Sequence, residues 1–356
     1  MVAKKAWIPA KGTYSVGTSN EPINPTIGDL SFDPRSPREI DFSQLDEKSR
    51  TASNYTELLK DNKHLEDYLN VASLANLAHV HKTQNGDWNV RGDPTEIAIQ
   101  VFASRLGWNR TRFTSGDNPA WRQIAEFPFD SDVKKMSVIF RETKTGEKHV
   151  FTKGAVERVV GSCTSIFQGS AEPVEMTEEI RNEILENMEA LAALGLRVLA
   201  LASRIYSDPT EDDAEPDRND IETDLTFRGL IGLYDPPRPE SAPSVRRCHE
   251  AGISVHMLTG DHPGTAKAIA AEVGIIPSSM DNFSKDVADS MVMTANRFDK
   301  LTDEKIDALP VLPLVVARCA PSTKVRMIEA LHRRKKFAAM VSRSLASAFL
   351  PRTIPY

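Results

Sequence analysis

The pattern of apolar and polar positions opens with a short run, Val2 to Ile8, that reads as a strand. Gly12 and five prolines, Pro9, Pro22, Pro25, Pro34 and Pro37, then mark a long irregular loop to about Asp46. From Leu58 to Ala78, Leu65, Leu69, Ala72, Leu74, Ala75 and Ala78 recur at helical spacing and predict one or two helices with a buried face. A turn after Asn89 leads into an amphipathic helix that starts near Asp93-Pro94 and runs to Trp108, with the proline suited to a first helical position. Trp121 to Phe151 reads as strands, with Gly146 in a hairpin turn. Glu178 to Leu194 is a helix stopped by Gly195, a residue free to take the left-handed cap, and a strand follows over Arg197 to Ser203.

Ser207 to Asp224 is acidic and poor in large apolar groups, so it reads as a solvated loop closing a first domain. Past Thr226 the texture becomes strand, helix, strand, helix, which implies parallel pairing in a doubly wound, Rossmann-like sheet. Gly252 to Leu258 is expected as a buried strand that ends in Thr259-Gly260-Asp261, before a helix over Pro263 to Val273 whose inward face is Ala266, Ile269, Ala270 and Val273. A further strand, Leu314 to Ala317, leads through Arg318 to Lys324 into an amphipathic helix ending near Leu331. The fold class expected is α/β throughout, as a mixed α/β domain followed by a parallel-sheet domain.

A chain of 356 residues exceeds what one hydrophobic core ordinarily organises, which agrees with two domains. Its 40% hydrophobic and 26% charged content is that of a globular protein. A net charge of −6 leaves no basic footprint for nucleic acid. The cluster His332 to Lys336 reads as a solvated helix end, where cations face the carbonyl terminus. Cys163, Cys248 and Cys319 are far apart and lack CxxC spacing, so they suggest a reducing compartment and neither a disulfide framework nor zinc. Sequons at Asn54, Asn109 and Asn282 read as chance, because no signal-peptide pattern opens the chain. His79 and His81 flank Val80 without cysteine or carboxylate spacing, and no metal set is expected. The longest apolar candidate for a membrane span, Leu309 to Ala317, is short and holds Pro310 and Pro313.

Two groups of residues carry candidate chemistry. Open α/β sheets bind ligands beyond the carboxyl ends of their strands, where a helix start presents free amides to an anion. Thr259 and Gly260 stand at such a place, and Lys324 lies near another helix start, where a cation is disfavoured unless it meets an anion. Adenine recognition needs an apolar slab and a triphosphate needs cations. Phe129, Lys134, Lys153 and Arg197 are of those types, with no Walker A pattern beside them. Each has an ordinary structural explanation when taken singly: a core aromatic, a turn lysine, an ion-paired arginine.

Taken together the motifs are specific. Asp235-Pro-Pro-Arg-Pro-Glu240, Met257-Leu-Thr-Gly-Asp261 and Ala317-Arg-Cys-Ala-Pro-Ser-Thr-Lys324 resemble, in this order, the phosphorylation domain of P-type ATPases. Gly92-Asp-Pro-Thr-Glu96, Phe127-Pro-Phe-Asp-Ser-Asp-Val-Lys-Lys-Met136, Lys153-Gly-Ala155 and Gly195-Leu-Arg-Val-Leu-Ala200 resemble the nucleotide-binding domain of the same family. The resemblance spans Met1 to Met340. In Trp7-Ile-Pro-Ala-Lys-Gly12 and the later motifs it looks most like the fungal sodium- and potassium-exporting pumps, with calcium pumps the nearest competitor. It implies that Glu96 contacts adenine, Phe129 stacks on it, Lys134 and Lys153 border the pocket, and Arg197 meets the phosphates. It further implies a haloacid-dehalogenase-like sheet, with Thr259 and Gly260 at a phosphoryl group, Lys324 neutralising it, and Asp235, Asp261 and Arg318 lining the site.

The implied division is a lead-in strand over 1–9, a nucleotide-binding domain over 10–225, a partial phosphorylation domain over 226–340 and an unmatched tail over 341–356. ATP and Mg2+ are the cofactors implied for the intact pump, which would lie with this portion on the cytoplasmic side and pass its cation through membrane helices outside this chain. The family's Asp-Lys-Thr-Gly-Thr and Thr-Gly-Asp-Gly-Val-Asn-Asp segments, which carry the phosphorylated aspartate and the magnesium carboxylate, do not occur here. The chain alone is therefore expected to bind ATP weakly and neither to autophosphorylate nor to hydrolyse it. The alternatives are a non-catalytic nucleotide-binding module and a soluble dehalogenase-like phosphatase, although Val2 to Ile8 offers the latter no acceptor aspartate.

Overall fold

The computed structural model describes residues 1–17, 19–42, 50–51, 62–169, 172–206, 217–278, 287 and 290–341. The strands are β1 (Val2–Ile8), β2 (Gly12–Val16), β3 (Leu30–Asp33), β4 (Arg50–Thr51), β5 (His79–Lys82), β6 (Trp88–Arg91), β7 (Trp121–Phe127) and β8 (Lys135–Glu142). They continue with β9 (Lys148–Ala155), β10 (Cys163–Ile166), β11 (Val174–Glu175), β12 (Arg197–Tyr206), β13 (Leu225–Tyr234), β14 (Met257–Leu258), β15 (Val292–Thr294) and β16 (Val315–Ala317).

Eleven of them form one sheet in the order β4-β3-β2-β1-β13-β12-β9-β8-β7, with β10 and β11 branching from β13. Its ladders are antiparallel except for the parallel β10–β13 pair. The period of two sorts side chains to two cores. Val138 and Phe140 of β8 join one core while Ile139 joins the other; Ile231 and Leu233 of β13 oppose Leu230 in the same way. On the first face the helices Lys63–Leu74 and Pro94–Arg105 contribute Leu65, Tyr68, Leu69 and Phe102. On the second, Val156–Val160 and Glu178–Ala193 contribute Val159, Ile184, Met188 and Leu191. Each fully buried aliphatic side chain contributes roughly 1.5–3 kcal/mol.

The smaller sheet, β14-β16-β15, is wholly parallel. Val315 and Ala317 of β16 face the helix Pro263–Glu272, through Ala266 and Ala270. Val316 faces the opposite core with Phe298 and with Met327 of the helix Pro321–Arg333. The molecule is thus a mixed α/β structure with both antiparallel and parallel pairing.

Several sequence expectations meet their elements directly. Asp93 caps the helix that follows it by accepting from the Thr95 amide at 2.8 Å. Gly146 turns the β8–β9 hairpin and Gly195 ends its helix, both at positive φ. Others are corrected. The stretch read as an irregular loop after Pro9 contains β2 and β3, because Tyr14, Val16 and Leu30 are buried and the prolines flank the strands without interrupting them. The buried strand expected over Gly252 to Leu258 shrinks to Met257–Leu258, which is only half-buried. Among the described residues β14 pairs on one side alone, with β16, and residues 252–256 join no ladder. Residues 226–234, read as opening the second domain, pair within the large sheet as part of β13. At the basic cluster, Arg333 and Arg334 are not merely solvated: Arg333 pairs with Asp307 at 2.8 Å, and Arg334 donates to the Ile306 and Leu309 carbonyls.

Asn109, one of the three sequons, spends its amide on the fold, accepting from Thr111 and donating to the Val80 carbonyl and Ser104. Asn54, Asn282, residues 207–216 of the acidic loop, the loop from 43 to 46, the start of the first helical stretch at 58–61 and the tail from 342 onward lie outside the described residues.

Candidate functional site

Where β9 ends and β12 begins, the large sheet faces the loop that follows β14, and the gap between them is a cavity of about 860 Å³. Glu96, Phe129, Lys134, Lys153 and Arg197 line it from the large-sheet side, and Thr259, Gly260, Asp261 and Arg318 from the other. Asp235 and Lys324 do not reach its wall. Asp235 is exposed just past the end of β13, and Lys324 is half-buried in the first turn of the Pro321–Arg333 helix.

The floor is a buried charge pair. Lys153 Nζ donates to Glu96 Oε1 at 2.6 Å and to the Ala75 carbonyl, while Glu96 Oε2 accepts from the Leu77 amide at 3.1 Å. Burial pushes the Lys153 ammonium below the usual lysine range, and the Glu96 carboxylate opposes that shift. Removing either partner would leave a buried charge uncompensated, so the pair ties the Pro94–Arg105 helix to β9. Gly154 follows because no side chain fits there. A Cβ would collide with the Lys134 carbonyl oxygen, which accepts from the Ala155 amide at 3.0 Å.

Above this floor, the loop between β7 and β8 carries Phe129 and Lys134. Asp130 folds the loop by accepting from the Asp132 and Val133 amides at 2.7 and 3.0 Å, and Lys134 takes a left-handed φ of 59°. Phe129 is 65% exposed, which excludes a core role and leaves an aromatic face open at the cavity rim.

The opposite wall is polar. Arg197 pairs with Asp261 Oδ1 at 3.1 Å, and Asp261 Oδ2 accepts from the Thr259 hydroxyl at 2.7 Å. The Cys319 amide donates to the Thr259 carbonyl and the Arg318 amide to that of Asp261, so the segment after β16 braces the segment after β14. Arg318 reaches across to Glu157 at 2.5 Å. Three polar lining residues lie outside the motifs read from the sequence. His262 faces Glu189 at 3.1 Å, the Thr265 hydroxyl donates to the Leu196 carbonyl at 2.7 Å, and Glu157 holds Arg318. His262 follows Asp261 directly, and that adjacency was a usable signal; Glu157 had none.

Among the described residues, Glu142, Glu147 and His149 form a group close enough to hold an ion, at the far ends of β8 and β9 from the cavity. Burial lowers the His149 imidazole below its ordinary value. His79 and His81 are exposed on β5 and stand apart from that group. No helix among the described residues is long and apolar enough to cross a membrane.

Comparison with known proteins agrees with this architecture. The family model described as the P-type ATPase cytoplasmic domain N matches residues 64–240. Sodium/potassium exporting P-type ATPase 2 of Saccharomyces cerevisiae is 42% identical over 377 residues, covering 96% of this chain and 34% of the yeast protein. Sodium/potassium exporting P-type ATPase cta3 of Schizosaccharomyces pombe is 44% identical over 340 residues, covering 96% of this chain and 31% of its own length. A calcium-transporting ATPase of Bacillus subtilis is 32% identical over 283 residues, 79% of this chain and 29% of the bacterial protein. The chain spans about a third of the length of these relatives. An exposed aromatic rim, a buried lysine–glutamate floor and a threonine–aspartate wall thus sit in a sequence that belongs to the P-type cation-transporting ATPase family, with likeness to its sodium/potassium-exporting members over nearly its whole extent.

Proposed function

We propose that the cavity binds ATP, as the nucleotide-handling portion of a pump that couples ATP hydrolysis to export of a monovalent cation. The observation that carries this reading is convergence: nine residues expected at the nucleotide from six separate stretches of sequence line one cavity. Phe129 supplies the stacking face for adenine and Glu96 a polar contact at the floor. Lys134 and Arg197 bring positive charge toward the triphosphate. Thr259 and Gly260 hold the terminal phosphoryl group at the end of a haloacid-dehalogenase-like parallel sheet. Export of sodium or potassium fits the printed names of the relatives with 42% and 44% identity better than calcium transport, whose cited example is 32% identical.

Mg2+ accompanies ATP in the family, but among the described residues the cavity walls do not offer it a free carboxylate set. Glu96 is paired with Lys153, Glu157 with Arg318, and Asp261 with Arg197, while Asp93 caps a helix. No catalytic step is assigned to the metal in this chain.

Calorimetric titration of ATP into the full chain tests the reading. Phe129→Ala removes one stacking face and should weaken binding by about 1–2 kcal/mol, the size of an aromatic contact with its lost burial. A correctly folded Phe129→Ala chain with unchanged affinity would overturn the placement.

A further inference from the structure

The loop between β7 and β8 that presents Phe129 and Lys134 does not hold its angle alone. Arg218 lies in the short helix Arg218–Ile221, more than eighty residues away in sequence and outside the cavity lining. Its guanidinium spans the base of the loop. Nη2 donates to the Pro128 carbonyl at 2.7 Å and to that of Phe127 at 3.3 Å on the β7 side, and to the Lys135 carbonyl at 3.1 Å on the β8 side. Nη1 lies 3.9 Å from Asp130, the residue that folds the loop internally. One nitrogen of the planar head therefore fastens both ends of the loop while Nε remains free to meet a second partner, a division of contacts that a single ammonium could not reproduce.

Arg218 is itself aimed from below. Its Nε donates to Glu222 Oε1 at 3.1 Å, and Glu222 is only 3% exposed. The same carboxylate accepts from Ser137 at 2.7 Å and pairs with Lys135 at 3.1 Å, so β8 fixes Glu222 independently of Arg218. Lys135 is further held by Ser162 at 3.0 Å. This network makes no contact with the cavity, yet every bond that leaves it toward the site ends on the backbone or on Asp130 of the Phe129 loop.

Resting on the nucleotide reading above, we propose that Arg218, oriented by Glu222, is the positioning residue that sets how Phe129 meets the nucleotide. Its role is exerted through the loop. Losing it should resemble losing the aromatic face, and the two losses should not add.

The test is a double-mutant cycle on the full chain, with ATP affinity read by calorimetry and folding by urea denaturation. Arg218→Ala leaves Glu222 paired with Lys135 and Ser137, so the buried charge stays compensated. Arg218→Ala and Phe129→Ala should each weaken ATP about tenfold, the scale of one aromatic contact with its burial. The double variant should be weaker than Phe129→Ala by no more than about twofold. If Arg218→Ala does not fold, Arg218→Lys carries the same cycle, with a loss expected because one ammonium cannot meet both the loop carbonyls and Glu222. An Arg218 variant that binds ATP like the parent while Phe129→Ala is weakened overturns the positioning role and leaves the nucleotide reading standing. Fully additive losses also overturn it. If Phe129→Ala itself leaves affinity unchanged, the nucleotide reading fails and the positioning role falls with it.

Discussion

At the scale of single residues, the site is governed by close approach. Gly154 exists because the Lys134 carbonyl occupies the space a side chain would need. Gly154→Ala should therefore cost about 1–3 kcal/mol of stability, the usual penalty of overpacking, and shift the loop bearing Lys134. Urea denaturation checks the first consequence and ATP titration the second; an unchanged midpoint with unchanged affinity refutes both. Phe129, Lys134, Lys153 and Arg197 were named by chemical type and by motif, and all four line the cavity. What sequence could not show was commitment: Lys153 is spent on Glu96, and Arg197 on Asp261, by pairings between residues 57 and 64 positions apart. Arg218 escaped notice for the same reason, since its value lies in carbonyl oxygens that carry no residue signature.

At the scale of elements, legibility followed periodicity. The helices Pro94–Arg105, Glu178–Ala193 and Pro263–Glu272 show caps and apolar stripes that need no tertiary help to recognise. β2 and β3 were hidden because prolines nearby advertise loop, whereas the strands fall between them. β14 was overestimated because an apolar run signals burial only when a neighbour exists on each side. The two sheets meet through elements that pack closely. Gly264, at the start of the Pro263–Glu272 helix, would place a Cβ 3.2 Å from the Ala192 carbonyl carbon and 3.3 Å from the Ala192 Cβ. A branched side chain cannot fit that contact. Gly264→Val should push the helix away from Glu178–Ala193, widen the cavity and raise the radius of gyration in small-angle scattering. An unchanged scattering profile with unchanged ATP affinity would show that the contact does not hold the halves together.

At the scale of the whole molecule, the chain holds the cavity-lining residues proposed to grip a nucleotide, and the family's phosphate-accepting segment is not among its residues. Neither Asp-Lys-Thr-Gly-Thr nor Thr-Gly-Asp-Gly-Val-Asn-Asp occurs in the 356 residues. Phosphoryl transfer depends on placing nucleophile and metal against the reacting phosphate, so binding without transfer is the expected behaviour. Incubating the purified chain with radiolabelled ATP should yield no acid-stable, hydroxylamine-sensitive phosphoprotein; its appearance would refute this. The Arg197–Asp261 and Arg318–Glu157 bridges, each joining one side of the cavity to the other, give this arrangement a mechanical meaning. The cavity is a seam and not a bowl. Occupancy and gap width are then one variable: a guest that touches both lips works as a clasp, and its affinity measures how hard the lips resist being drawn together.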